Sequence, residues 1–161
     1  METDVQRAHE VARKVIANVS KVLMGDEQAV SLLVMALLAR GHVMVEGPPG
    51  VGKTVLAKSL ARSISADFQR IQCTADLLPS DVTGTNVFDQ RDRDFHFRPG
   101  PILSQIVLVD EINRASPRTQ SAFLEGLDER QVTVDGVRHP MPEPFVVVAT
   151  RNPAQHVGTF P

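Results

Sequence analysis

The chain has no tryptophan, no tyrosine and only seven phenylalanines among 161 residues, so its core has to be built from aliphatic side chains. Cys73 is the only cysteine. An intrachain disulfide is therefore excluded, a usage that fits a reducing compartment. The residue itself reads as a small buried hydrophobe of a strand. There is no excess of basic charge: 17 Lys and Arg stand against 19 Asp and Glu, for a formal net charge of −2. That balance gives no electrostatic case for a nucleic-acid partner. There is no long apolar run either. The longest, Val30 to Ala39, is interrupted by Ser31, stopped by Arg40 and too short to span a bilayer. The opening METDVQRAHE lacks the basic and apolar blocks of a signal peptide. His9, His42, His96, His139 and His156 are scattered without metal-ligand spacing, so no zinc site is assigned. No repeat or low-complexity segment is visible. The expectation is one cytoplasmic domain with no membrane and no nucleic acid among its partners.

What the chain does have is Gly47-Pro48-Pro49-Gly50-Val51-Gly52-Lys53-Thr54, which fits the phosphate-cradling pattern G-x-x-x-x-G-K-[ST]. Glycines let the backbone turn tightly and aim successive N–H groups at phosphate oxygens. Lys53 supplies a positive charge near the β- and γ-phosphates, and the Thr54 hydroxyl reaches Mg²⁺. The context is the required one. His42 to Glu46 reads as a β-branched strand entering the loop. Thr54 to Ser65 reads as a helix leaving it, with Leu56, Ala57, Leu60, Ala61 and Ile64 as its apolar stripe. The positive end of that helix's dipole then faces the same anion.

The remaining segments alternate. Asp4 to Val22 carries helically spaced apolar residues from Val5 to Val19, and Gly25 ends that helix or follows its frayed end. Asp26 is a suitable N-cap for a second helix, Glu27 to Ala39, which Gly41 stops. Phe68 to Thr74 looks like a strand. Ala75 to Pro101 is neither a clean helix nor a clean strand. Within it Thr83 to Asp89 and Phe95 to Arg98 suggest two strands joined by the charged turn Gln90 to Asp94, with Phe95 and Phe97 on one face. The arginines Arg91, Arg93 and Arg98 among its aspartates read as a solvated tip. Ile106 to Val109 is a continuous apolar run, as for a strand buried on both faces. Ser116 and Pro117 start a helix through Asp128, with Phe123, Leu124 and Leu127 inward. Gln131 to Val134 and Val137 to His139 flank the hairpin signal Asp135-Gly136. Phe145 to Ala149 is a last apolar strand. Strands alternating with helices argue for an α/β fold with a parallel sheet.

Ile106 to Val109 runs straight into Asp110-Glu111, placing two carboxylates at the C-terminal end of a strand, where open α/β sheets bind ligands. Asp110 can hold Mg²⁺ together with Thr54, and Glu111 can orient or deprotonate the water that attacks the γ-phosphate. Asn152 follows the last strand. It could reach between the γ-phosphate and that water, or simply form an Asn-Pro turn with Pro153. Arg114, just past the two acids, is either a residue facing a neighbouring subunit's nucleotide or a loop arginine in a salt bridge.

These motifs together resemble an AAA+ ATPase, and the wording is closer still to the MoxR family. The matching stretches are GHVMVEGPPGVGKT (41–54), LLPSDVTGT (77–85), FHFRPGPI (95–102), LVDEINRASPRTQSAFLEGLDERQVTVDG (108–136) and VVATRNP (147–153). The resemblance implies a P-loop NTPase three-layer sandwich with a central, mostly parallel sheet, two N-terminal helices and β-hairpin insertions. It implies ATP and Mg²⁺ as ligands, with Gly47, Pro48, Pro49, Gly50, Val51, Gly52, Lys53, Thr54 and Asp110 around them. Glu111 would be catalytic with Lys53, and Asn152 would be the sensor 1 residue. Gly25 matches a turn near the adenine. Thr83 to Phe97 would be the helix-2 insert, and Gln131 to His139 the hairpin before sensor 1. Residues 1–161 would then form the large subdomain, with N-terminal helices at 4–40, the P-loop core at 42–161 and the insert at about 75–101.

The family's arginine finger and helical lid lie beyond sensor 1, and the sequence stops at Thr159-Phe160-Pro161 before either. The implied activity is ATP hydrolysis driving chaperone-like remodelling or maturation of clients, metal-cofactor insertion being one output. The implied assembly is a hexameric ring with a von Willebrand factor A-type partner. The alternative is an ATP-binding module that does not hydrolyse. A nucleic-acid motor shares the fold but not the wording or the charge.

Overall fold

The computed structural model describes residues 2–23, 27–47, 50 and 52–152. Gly25, Asp26, Pro48, Pro49, Val51, Pro153 and His156 lie outside the described residues, so the expectations placed on them go no further here.

Four strands form one parallel sheet: β1 (Val43–Glu46), β2 (Phe68–Gln72), β5 (Ile106–Asp110) and β8 (Val146–Arg151), in the order β1-β8-β5-β2. The apolar runs of β5 and β8 occupy the centre, and their residues from Ile106 to Val109 and from Val146 to Val148 are buried. Period-two alternation splits them between two cores. Ile106, Leu108, Val146 and Val148 face α1 (Glu2–Ser20), α2 (Glu27–Leu38) and α3 (Lys53–Ser63). Val107, Val109, Val147 and Ala149 face the other way, toward Phe123 of α5 (Pro117–Glu129) and Val82 of α4 (Pro79–Thr83). The result is a sheet between two helical layers.

Two antiparallel hairpins project from this frame: β3 (Gly84–Asp89) with β4 (Asp94–Pro99), and β6 (Gln131–Val134) with β7 (Val137–Pro140). Asp135 and Gly136 both have positive φ, 49° and 81°, as the expected tight turn requires. The hairpins touch each other. The Phe97 ring stacks on His139 at 3.7 Å between centroids, and Asn86 Nδ2 donates to Asp135 Oδ2 at 2.6 Å. The neck of the first hairpin is a backbone crossing. Gly100 N–H donates to Thr83 O, and a Cβ on Gly100 would collide with Val82 O and with Gly84 N.

Several expectations need correction. Residues 75–101 contain a helix, α4, started by Pro79 and by Leu78 N–H donating to Asp81 Oδ2 at 2.9 Å. Thr83 therefore ends a helix rather than starting a strand. β2 stops at Gln72, two residues early, and β8 runs two residues past Ala149, to Arg151. The second helix is stopped not by Gly41 but by Arg40, which adopts φ 54° while Gly41 N–H donates to Ala36 O at 2.8 Å. This is a Schellman closure with arginine in the position glycine usually takes. The first helix packs only through its C-terminal half: Val15 and Val19 are buried, whereas Val5 and Val11 are exposed. On α5, Leu124 and Leu127 are half-buried, and the inward residues are Thr119, Gln120, Phe123 and Gly126. The two polar ones donate to main-chain carbonyls. Thr119 Oγ1 donates to Leu77 O at 2.6 Å, and Gln120 Nε2 donates to Ala115 O at 3.0 Å.

Candidate nucleotide site

The same alternation that builds the cores aims the site. On β5 and β8 the even-numbered residues face α3. Extending each strand by one step puts Asp110 and Thr150 on that face, at the C-terminal edge of the sheet. On β2, Phe68 packs into the same core, so Arg70 and Gln72 share its side. α3 starts at Lys53, directly after Gly52, whose φ is 85°; Gly50 has the same φ. Both glycines hold a conformation L side chains rarely adopt. Lys53 Nζ is drawn back over the loop and donates to Gly47 O at 2.6 Å.

A cavity of about 400 Å³ lies between these elements. It is lined by Gly50, Gly52, Lys53, Thr54 and Val55 of the loop and the start of α3, by Asp110, Glu111 and Asn152, and by Arg70 and Gln72 of β2. Gly47 borders the loop through its bond to Lys53. The expected site residues that the structure describes are thus brought together in one place.

The two carboxylates are held differently. Asp110 Oδ1 accepts from the Thr150 hydroxyl at 2.6 Å, and Oδ2 accepts from Arg70 Nη2 at 2.7 Å. Burial acts to raise its pKa. The Thr150 and Arg70 hydrogen bonds and the charges of Arg70 and Lys53 outweigh that, so the carboxyl sits below its usual value and is ionised at neutral pH. Glu111 adopts φ 56°, which turns it out of the strand alternation. Its N–H donates to Thr150 Oγ1 at 2.9 Å, and its Oε2 accepts from Arg114 Nη1 at 2.8 Å. Of the two readings of Arg114, the salt bridge is therefore the one seen within the chain. Cys73, fully buried beyond β2, has its thiol pushed up to about 12 by burial and by the negative charges of Asp110 and Glu111.

Arg70, Gln72 and Thr150 were not anticipated as site residues. The available signal was the polar Arg70 and Gln72 at alternate positions of β2, and a threonine directly after the apolar run Val146 to Ala149.

The geometry fits a nucleotide polyphosphate and a hard divalent cation. Two positive-φ glycines and Lys53 face the cavity, while Thr54 and Asp110 offer oxygen ligands, the donor type Mg²⁺ takes. Comparison with known proteins decides the family. A model of the ATPase family associated with various cellular activities (AAA) matches residues 42–161. The chain belongs to the AAA ATPase family. Among curated relatives, it is 50% identical over 153 residues to the uncharacterized protein YeaC of Bacillus subtilis, covering 95% of this chain and 48% of that protein. It is 43% identical over 148 residues to the chaperone MoxR1 of Mycobacterium tuberculosis, covering 92% of this chain and 39% of that protein. Protein MoxR of Methylorubrum extorquens is 33% identical over 147 residues. A crystal structure of a candidate ATPase from Cytophaga hutchinsonii superposes with a TM-score of 0.83 at 38% identity, over 99% of this chain and 49% of that one. Within the AAA proteins, this one is of the MoxR type. It spans about half the length of the curated relatives it matches. Among the described residues no helix is long and apolar enough to cross a membrane.

Proposed function

We propose that this chain binds MgATP and forms the nucleotide-handling part, the large subdomain, of a MoxR-type ATPase. The observation that carries the reading is the convergence of Lys53, Thr54, Asp110, Glu111 and Asn152 on one cavity at the sheet's C-terminal edge. Main-chain N–H groups of the Gly47–Thr54 loop and the start of α3 bind phosphate oxygens, and Lys53 leaves Gly47 O to add its charge. Thr54 and Asp110 would hold Mg²⁺, which would supply a positive charge to screen the phosphates. Glu111 takes the proton of the attacking water, and Asn152 orients that water against the terminal phosphate. Glu111 is fixed for this by Thr150 through its N–H and by Arg114 through its carboxylate.

Hydrolysis would drive a cytoplasmic homo-oligomer, a hexameric ring, that remodels or matures client proteins with a von Willebrand factor A-type partner. Metal-cofactor insertion would be one such output. The name of the Mycobacterium tuberculosis relative, a chaperone, supports the client-handling part. Of the hairpins, Phe88, Phe95, Val87 and Val137 are exposed, as a surface that meets other chains would be.

A second reading has an observation of its own. Both acids are tied to arginines of the same chain, Asp110 to Arg70 and Glu111 to Arg114. That arrangement suits an ATP-binding module that does not hydrolyse. The test is ATP turnover by wild type and by Glu111→Gln, each with its bound nucleotide measured. The proposal expects the variant to retain ATP and lose at least about a hundredfold in turnover, the scale on which general-base catalysis acts. Equal turnover in the two would overturn the role of Glu111. Binding without turnover in wild type would favour the second reading.

A further inference from the structure

Arg70 belongs to none of the motifs, yet its guanidinium reaches the centre of the site. β2 is an edge strand, paired so that Gln72 lies beside Asp110, and Arg70 stands two residues earlier on the same face. Its Nη2 donates to Asp110 Oδ2 and to Gln72 Oε1, each at 2.7 Å. About half of its side chain is exposed, and it lines the same cavity as Lys53 and Thr54. The two donors on Asp110 thus differ in kind. Thr150 is fully buried on a central strand and fixed in place. Arg70 is long, half-solvated and at an edge, so it can swing without disturbing the core. A divalent cation drawn to Asp110 would stand close to the guanidinium and repel it. The planar fork of donors then has one strong alternative in the cavity, a phosphate oxygen.

We propose that Arg70 is a positioning residue with two partners: it holds Asp110 until the metal takes that carboxylate, and then pairs with the terminal phosphate of ATP. The inference rests on the MgATP reading above. It gives the site a cation from its own chain that registers a third phosphate, so Arg70 favours ATP over ADP and sets the Mg²⁺ concentration at which ATP is captured.

The test is calorimetric binding of ATP and of ADP to the whole chain across a Mg²⁺ series, for wild type, Arg70→Ala, Arg70→Gln and Arg70→Lys. Arg70→Ala should weaken ATP by about tenfold, the scale of one charge-assisted hydrogen bond, and ADP much less. The Mg²⁺ midpoint should fall severalfold, because a competing cation has been removed from Asp110. Arg70→Lys should restore part of the ATP preference. Arg70→Gln is shorter and uncharged but keeps part of the aliphatic stem and a polar end on this exposed edge; it should behave like Arg70→Ala, and it serves if the alanine variant folds poorly. A purely structural Arg70 would weaken both nucleotides equally and leave the Mg²⁺ midpoint in place, and that result overturns the proposal. Failure of the wild type to bind either nucleotide would instead remove the MgATP reading on which it stands.

Discussion

Replacing Thr150 by valine should show how tightly the acidic end of β5 is tied to β8. The two side chains have the same shape, so the change deletes a hydroxyl without opening a cavity. That hydroxyl makes two bonds at once. It donates to Asp110 Oδ1 at 2.6 Å and accepts the Glu111 N–H at 2.9 Å, and the residue is fully buried. An amide N–H left without a partner away from water costs roughly 1–3 kcal/mol, and a hydrogen bond to a charged group contributes about 1.5–3 kcal/mol. Asp110 keeps its bond to Arg70 and some solvent contact, so the two losses will not add in full. We expect a destabilisation of about 2–4 kcal/mol at pH 7 by urea unfolding, a large part of the roughly 5–15 kcal/mol typical of a domain.

The pH dependence separates the two losses. Asp110 has a depressed pKa in the folded chain, with burial opposing the shift and the Thr150 and Arg70 bonds among the causes that win. Its contribution is therefore present above the unfolded value of about 3.9 and is lost as pH falls through the lower folded value. The gap between wild type and Thr150→Val should be flat from about pH 5 to pH 8 and should shrink below about pH 4, leaving the Glu111 N–H part. A gap under about 0.5 kcal/mol at pH 7, or one that widens in acid, would refute the reasoning.

The hairpin neck and the buried thiol give two further tests. Gly100→Ala should cost at least about 2 kcal/mol in urea unfolding, because its Cβ would meet main-chain atoms that cannot give way; near-wild-type stability would mean the neck is not closed. The Cys73 thiol, buried and pushed up to about 12, should resist a disulfide reagent at pH 8 in the folded chain and react once urea unfolds it; rapid reaction without denaturant would contradict its placement.

The parts of the fold legible in the sequence were those written locally. The Gly47–Thr54 loop, the run into Asp110-Glu111 and the Ser116-Pro117 start each carry their own pattern. Ser116 indeed caps α5 by accepting the Thr119 N–H. The hairpin turn at Asp135-Gly136 is of the same sort. What stayed hidden depends on pairing between distant segments. Arg70 and Thr150 become neighbours of Asp110 only through the register of β2 and β8 on β5, which no local window contains. α4 was missed because five residues are too few for a helical period to show. Arg40 overrode the glycine expectation because an arginine can occupy a left-handed cap when the closing hydrogen bond is made. The exposed start of the first helix followed the opposite course: its apolar spacing was regular, but Val5 and Val11 are exposed.

The most direct test of the central claim is titration calorimetry of MgATP into this chain and into Lys53→Ala. Lys53 is the cation the loop places over the cavity, and the variant removes it without touching the core. The account predicts saturable one-to-one binding by the wild type and loss of measurable binding in the variant. Equal binding by both, or none by the wild type, would contradict the assignment of this cavity as a nucleotide site.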